Sequence, residues 1–177
     1  MNELLELTEL EKVLNEYAAE AVEMYKYQLS LGRKTASRKL IDSVTSVIET
    51  TTGGYEVSLN LQEYWKYIEF GRQGTISSPA KAYPGAYPPG RAAFPPVSVL
   101  LKWISVKPII PRPGPDGKFP KPETLAYLIG RKIERFGIEP HPALKTTQEE
   151  LDKIYRQRLS EALGHDVYDY IRKVVIQ

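Results

Sequence analysis

Cysteine is absent from the 177 residues and histidine occurs only twice. Disulfides and thiolate ligands are therefore excluded, and little nitrogen or sulfur is left for a zinc site. Any metal chemistry would rest on carboxylates. No apolar run approaches the roughly eighteen residues that a membrane-crossing helix needs, so no membrane association is expected. The opening MNELLELTELEKVL carries acids where a secretory leader carries bases. It also lacks the unbroken apolar stretch and small-residue cleavage site of such a leader, so intracellular synthesis is expected. Proline is missing from both flanks of the sequence, because all 14 prolines fall between Pro79 and Pro142. Nothing in those flanks forbids long regular elements.

What is present is ordinary in total and uneven in arrangement. An apolar content of 42% and a charged content of 26% suit one globular domain, or a compact domain with one large extension. The net charge of +2 conceals a polarity along the chain. Residues 1–30 hold seven acids and two bases, residues 31–145 hold nine acids and seventeen bases, and the remainder comes to −1. A basic middle beside an acidic start fits phosphate, and it equally fits the acidic surface of a neighbouring copy.

Leu7, Leu10, Leu14, Tyr17, Ala21 and Met24 recur at steps of three and four, which predicts an amphipathic helix ending at Gly32. Thr8 and Glu11 have capping-box spacing. From Val44 the period becomes two and persists to Leu61, with Thr52, Gly53 and Gly54 in the middle, so an antiparallel hairpin is expected over residues 44–61. A short helix follows at 63–70, stopped by Gly71. The stretch SSPAKAYPGAYPPGRAAFPP reads as a long loop whose Tyr83, Tyr87 and Phe94 argue that it packs on something. A helix opening at Pro96, a second proline-glycine loop, and a helix from about Leu125 to Gly137 come next. Thr147 and Glu150 predict the start of another helix, Gly164 its break, and Asp166 the cap of a last short one.

Catalytic patterns are sparse. There is no G-x-S-x-G sequence, no Walker-type or dinucleotide-binding glycine pattern, and no serine in a recognised arrangement with His141 or His165. His165-Asp166 with Asp169 resembles a fragment of a metal phosphohydrolase site, set against the plainer reading of Asp166 as a helix cap. Glu63 and Glu69 are a candidate carboxylate pair. Six residues place them on nearly opposite sides of a helix, which favours solvated charges or pairing with Lys66 or Arg72. Residues 72–145 carry twelve bases against four acids among aromatics, the composition of a nucleic-acid surface, although only Arg131, Lys132 and Arg135 cluster. The sequence therefore predicts no catalytic residue, no metal ligand and no cofactor. It leaves two alternatives in view: nucleic-acid binding through residues 72–145, or a carboxylate- and metal-dependent nuclease or hydrolase.

The segment YWKYIEFGRQG resembles the Tyr-x-x-Tyr-(Val/Ile)-Glu-(Phe/Tyr)-Gly segment after the hairpin of tail-completion and head-tail joining (neck) proteins of tailed bacteriophages, the HK97 tail-component-like family. Tyr64, Tyr67, Ile68, Glu69, Phe70 and Gly71 are the matching positions. PPVSVLLKWISVK, LAYLIGRKIERFG and EPHPAL are similar to later blocks of the same proteins, through Pro95, Pro96, Val97, Leu101, Trp103 and Ile104, then Leu125, Ala126, Ile129, Arg131, Lys132, Ile133 and Gly137, then Pro140, Pro142 and Leu144. The succession covers about residues 1–163. The long loop from Arg72 to Pro95 and the residues beyond Gly164 depart from the pattern.

The resemblance implies an α+β fold: a small antiparallel β-sheet, made of the hairpin and further strands, packed by a long N-terminal helix and several shorter ones. Residues 1–163 would form one domain including the proline-rich extended loop 72–96, with 164–177 a C-terminal helical extension. It implies a non-enzymatic structural protein of the virion, assembled in the host bacterial cytoplasm as a homo-oligomeric ring. As connector, tail-completion protein or terminator, the ring would join portal or adaptor proteins to tail proteins, with packaged DNA passing through it without sequence-specific binding. Trp65, Tyr67, Phe70, Arg72, Tyr83, Tyr87, Arg91 and Phe94 are the subunit-interface candidates, because aromatic and arginine side chains bring large buried area and directed hydrogen bonds.

Overall fold

A computed structural model describes residues 7–32, 38–52, 54–76, 93–107, 109, 111–115 and 117–175. The fold is α+β. In chain order its elements are α1 (Thr8–Leu31), α2 (Lys39–Ser43), β1 (Thr45–Thr51), β2 (Gly54–Asn60), α3 (Trp65–Glu69), β3 (Arg72–Gln73), α4 (Val97–Val106), α5 (Pro122–Phe136), β4 (Gly137–Ile138) and α6 (Ala143–Val175). They divide between two compact units. Residues 1–28, 43–61 and 144–177 make the first; residues 29–42 and 62–143 make the second.

In the first unit, the predicted hairpin forms with β1 antiparallel to β2 and Thr51 opposite Gly54. Ile48 faces Val57 and Ser46 faces Leu59 across the ladder. The period-two alternation thus puts Ile48, Val57 and Leu59 half-buried on one face, while Val47 and Glu56 look outward. Leu59 packs against a core built from Val13 and Ala21 of α1 and Leu151, Tyr155 and Ala162 of α6. Burying a leucine as completely as Leu151 contributes about 1.5–3 kcal/mol, so this seam supplies much of the unit's cohesion.

Polar pairs fix the seam's register. The Tyr155 hydroxyl donates to Glu20 at 2.6 Å, and its ring meets Tyr17 edge-on at 5.3 Å. Arg158 pairs with Glu16 and lies 4.8 Å over the Tyr155 ring. Partner numbers that rise along α1 fall along α6, so the two helices are antiparallel.

α6 corrects three expectations. It starts at Ala143, not at Thr147, which is buried inside it; it passes through Gly164 without interruption; and Asp166 does not begin a new helix. Residues 164–175 continue α6. Asp166 is nevertheless a cap, of a different helix. Its two carboxylate oxygens accept the amides of Glu9 at 3.2 Å and Leu10 at 2.9 Å, satisfying first-turn donors of α1 that have no partner within the helix. Glu11, expected to complete a capping box, instead accepts the Tyr55 hydroxyl at 2.9 Å. At 4% exposure, Asp166 would be costly to bury without those amides.

In the second unit, α5 begins three residues earlier than its apolar stripe suggested, with Pro122 in its first turn. It ends as expected at Gly137, whose φ of 79° admits glycine readily. A side chain there would also strike the Arg72 carbonyl, because β3 pairs antiparallel with β4 with Gln73 opposite Gly137. The chain after β3 covers the end of α5: Thr75 and Ile76 donate their amides to the carbonyls of Glu134 and Arg135 at 2.8 and 2.9 Å. The further strands are therefore a two-stranded sheet of their own.

Removing the remote cap should uncouple α1 from α6. Asp166→Ala is expected to lower stability by about 1–2 kcal/mol, while Asp169→Ala, on the exposed side of the same turn, changes it by less than about 0.5 kcal/mol; urea titration followed by circular dichroism distinguishes them. A second expectation concerns alkali. Burial raises Tyr155 and Tyr17 above the ordinary 10.0, aided by the bond to Glu20 and the charge of Asp152, and the bond to Glu11 raises Tyr55. The folded state favours the neutral phenols, so their stabilisation is complete below about pH 10 and is lost as pH rises through the folded values. The denaturation midpoint should fall above about pH 10, and less steeply in the Tyr17→Phe/Tyr155→Phe variant.

Candidate functional site

α4 reads VSVLLKWISV and is apolar on more than one side, a composition that normally implies burial all round. One side packs on α5, and Leu100 is buried there. Val99 keeps 58% of its surface exposed. The unburied side of α4, together with Ile129 and Ile133 one turn apart on α5, Ile68 of α3 and Ile138 of β4, lines a groove of about 600 Å³. Trp103 lies in it. Two cations flank the apolar surface: Lys107, whose ammonium sits 5.4 Å from the centre of the Trp103 ring, and Lys132 on α5. Lys132 is exposed and makes no hydrogen bond or ion pair among the described residues. An apolar trough with cationic edges can hold an amphipathic, acidic ligand.

The interface candidates within the described residues all belong to the second unit. Trp65 is half-buried against Phe70, with ring centres 5.8 Å apart, while Phe70 remains 37% exposed. Tyr67 is half-buried and shares a polar depression with Tyr64 and Lys66; burial raises the Tyr64 hydroxyl above its usual value. Arg72, on β3, opposes Ile138. Phe94 folds onto its own chain: its ring lies 5.7 Å from that of Tyr127 and rests over Gly130. Tyr83, Tyr87 and Arg91, and most of loop 72–96, lie outside the described residues.

The sequence's catalytic fragments do not converge. Glu69 is 6% exposed while Glu63 is on the surface. His165 faces Asp169 at 3.7 Å on exposed α6, whereas Asp166 is committed to α1. The His141 amide donates to the Ile68 carbonyl at 2.7 Å, and its ring lies against Gly32. Among the described residues, no three His, Cys, Asp or Glu side chains gather as a metal would require, and no helix is long and apolar enough to cross a membrane. Of the basic cluster, Arg131 and Lys132 are exposed, and Arg135 lies 5.6 Å from the Phe136 ring.

The sequence does not show the groove, because its lining comes from three stretches far apart in the chain: α3, α4, and α5 running directly into β4. One signal did exist: α4 carries more apolar surface than a single neighbour can cover. No protein-family model matches this chain, and no curated protein or solved structure matches it.

Phe94 and Gly130 offer a direct check on how the loop's end meets α5. A β-carbon at Gly130 would sit 2.6 Å from Phe94 Cζ. Gly130→Ala should therefore be neutral or destabilising in the intact chain, yet stabilising by up to about 1 kcal/mol in a Phe94→Ala background. A double-mutant cycle should return a coupling of about 1 kcal/mol, and additivity would contradict the contact.

Proposed function

We propose that this chain is a structural protein of a tailed-bacteriophage virion. Copies form a homo-oligomeric ring at the head-tail junction, joining portal-side to tail-side proteins around the DNA channel. The observation that carries the reading is positional. The block Tyr64-x-x-Tyr67-Ile68-Glu69-Phe70-Gly71, through which the sequence resembles head-tail joining proteins, lies on α3 directly after the hairpin, behind a long helix. The exposed apolar residues of the second unit, Phe70, Val99 and Leu128 among them, supply surface for contacts between copies. The function would be assembly and mechanical continuity, not turnover.

The exposed Arg131 and Lys132 favour a second reading, in which the chain binds nucleic acid directly. Filter binding separates the two. A nucleic-acid binder retains free duplex with an affinity that falls steeply with salt, whereas a channel ring holds it weakly at every salt concentration.

The ring reading is tested by native mass spectrometry of the purified protein and by cryo-electron microscopy of particles. Expected are closed assemblies of one defined copy number and density for this chain at the neck. Phe70→Glu should weaken assembly at least about tenfold while leaving the denaturation midpoint nearly unchanged. A monomer in solution combined with particles that carry no copy at the neck would sink the reading.

A further inference from the structure

We infer that the groove between α4 and α5 receives the acidic, leucine-rich segment at residues 1–7 of a second copy of this chain. The inference rests on the reading that copies associate with one another.

The argument is one of chemical fit. The groove's walls are aliphatic and aromatic, with Leu100, Trp103, Ile129 and Ile133 facing a volume of about 600 Å³. That lies within the roughly 300–1,000 Å³ of ordinary binding clefts. Its charged edge is cationic, from Lys107 and Lys132. A fitting occupant must bring several apolar side chains and at least two acids within a short span. MNELLEL does so, with Leu4, Leu5 and Leu7 interspersed by Glu3 and Glu6. It belongs to the acidic part of the chain, where residues 1–30 hold seven acids against two bases, and the groove belongs to the basic part, where residues 31–145 hold seventeen bases against nine acids.

Acid-to-base matching between copies also gives the contact a direction. One copy offers the segment and the next offers the groove, so the interface is heterologous, the kind that generates a ring when its rotation closes. Apolar burial would supply most of the affinity, and the lysines would set register and association rate.

The test uses a receptor lacking residues 2–7 and carrying Trp65→Phe, so that Trp103 is the only tryptophan. This deletion spares α1, which begins at Thr8, and the amides that Asp166 caps. A synthetic peptide of residues 1–12, MNELLELTELEK, is titrated in while Trp103 emission is followed. Expected is a saturable blue shift that weakens with salt. Lys132→Glu in the receptor should weaken binding about tenfold, and a peptide with Glu3→Lys and Glu6→Lys should recover on that variant what it loses on the parent. Absence of a Trp103 response, whatever else fills the groove, overturns the inference, as does binding indifferent to Lys132→Glu in a receptor with an unchanged circular dichroism spectrum.

Sedimentation of the full chain beside the 2–7 deletion separates this idea from the ring reading. A deletion variant that assembles as well as the full chain refutes the docking and leaves the ring standing. Full-chain assembly that the 2–7 deletion abolishes, together with particles that carry no copy at the neck, supports the docking and removes the head-tail ring; a full chain that stays monomeric, beside such particles, overturns both.

Discussion

A helix opens with amides that its own turns cannot bond, and in α1 two of them end on a carboxylate from far along the chain. Asp166 binds Glu9 and Leu10 across more than 150 residues of sequence. It reaches them only because α6 stays helical through Gly164 and lies antiparallel to α1 over their whole shared length. The hydrophobic seam of Val13, Ala21, Leu151, Tyr155 and Ala162 provides the cohesion, but apolar side chains alone tolerate sliding by a turn. A carboxylate buried to 4% exposure does not, since a slip would leave it charged and without donors. The hairpin, which packs through Leu59 on this seam and is tied through Tyr55 to Glu11, inherits the same register.

The second unit is organised by close backbone approach. Gly137 ends α5, pairs with Gln73 and leaves no room for a side chain beside the Arg72 carbonyl, so one residue joins a helix terminus to a strand pair. Thr75 and Ile76 then take two of the carbonyls that α5 leaves over. With α5 held at that end and Phe94 packed over Gly130, α4 can bury only part of its apolar circumference, and what it leaves open is the groove. The groove thus follows from composition: α4 has more apolar surface than α5 and α3 can cover.

Local periodicity made several elements legible. Alternation around a glycine turn was enough for the hairpin, three-and-four spacing for α1 and α5, and Pro96 and Gly137 for the ends of their helices. Legibility failed where the deciding partner was distant. Gly164 resembles a helix breaker in isolation, yet a glycine costs only about 1 kcal/mol in a helix, less than the packing of Leu151, Tyr155 and Ala162 elsewhere on α6 supplies. The Thr147-Glu150 spacing imitated a helix start because a capping box is a pattern of residue types, and Thr147 turned out to be buried within α6. Asp166 has the residue type of a cap, but it caps α1 and not the last short helix expected after Gly164, a client that its neighbours in sequence could not reveal. Ile68, Leu100, Ile129 and Ile138 are unremarkable one by one; only the fold brings them to one groove.

The division of the chain also bears on its synthesis. Unit two is complete in the nascent polypeptide once residue 143 has been made. Unit one is not: α1 emerges well before α6, yet its apolar face and its first-turn amides wait for Leu151, Tyr155 and Asp166. Throughout translation of the intervening hundred or so residues, α1 is an amphipathic helix without its native cover, exposed to chaperones and to other nascent copies. The glutamates of α1 give it a net negative charge, and like charges repel one another where such helices lie uncovered.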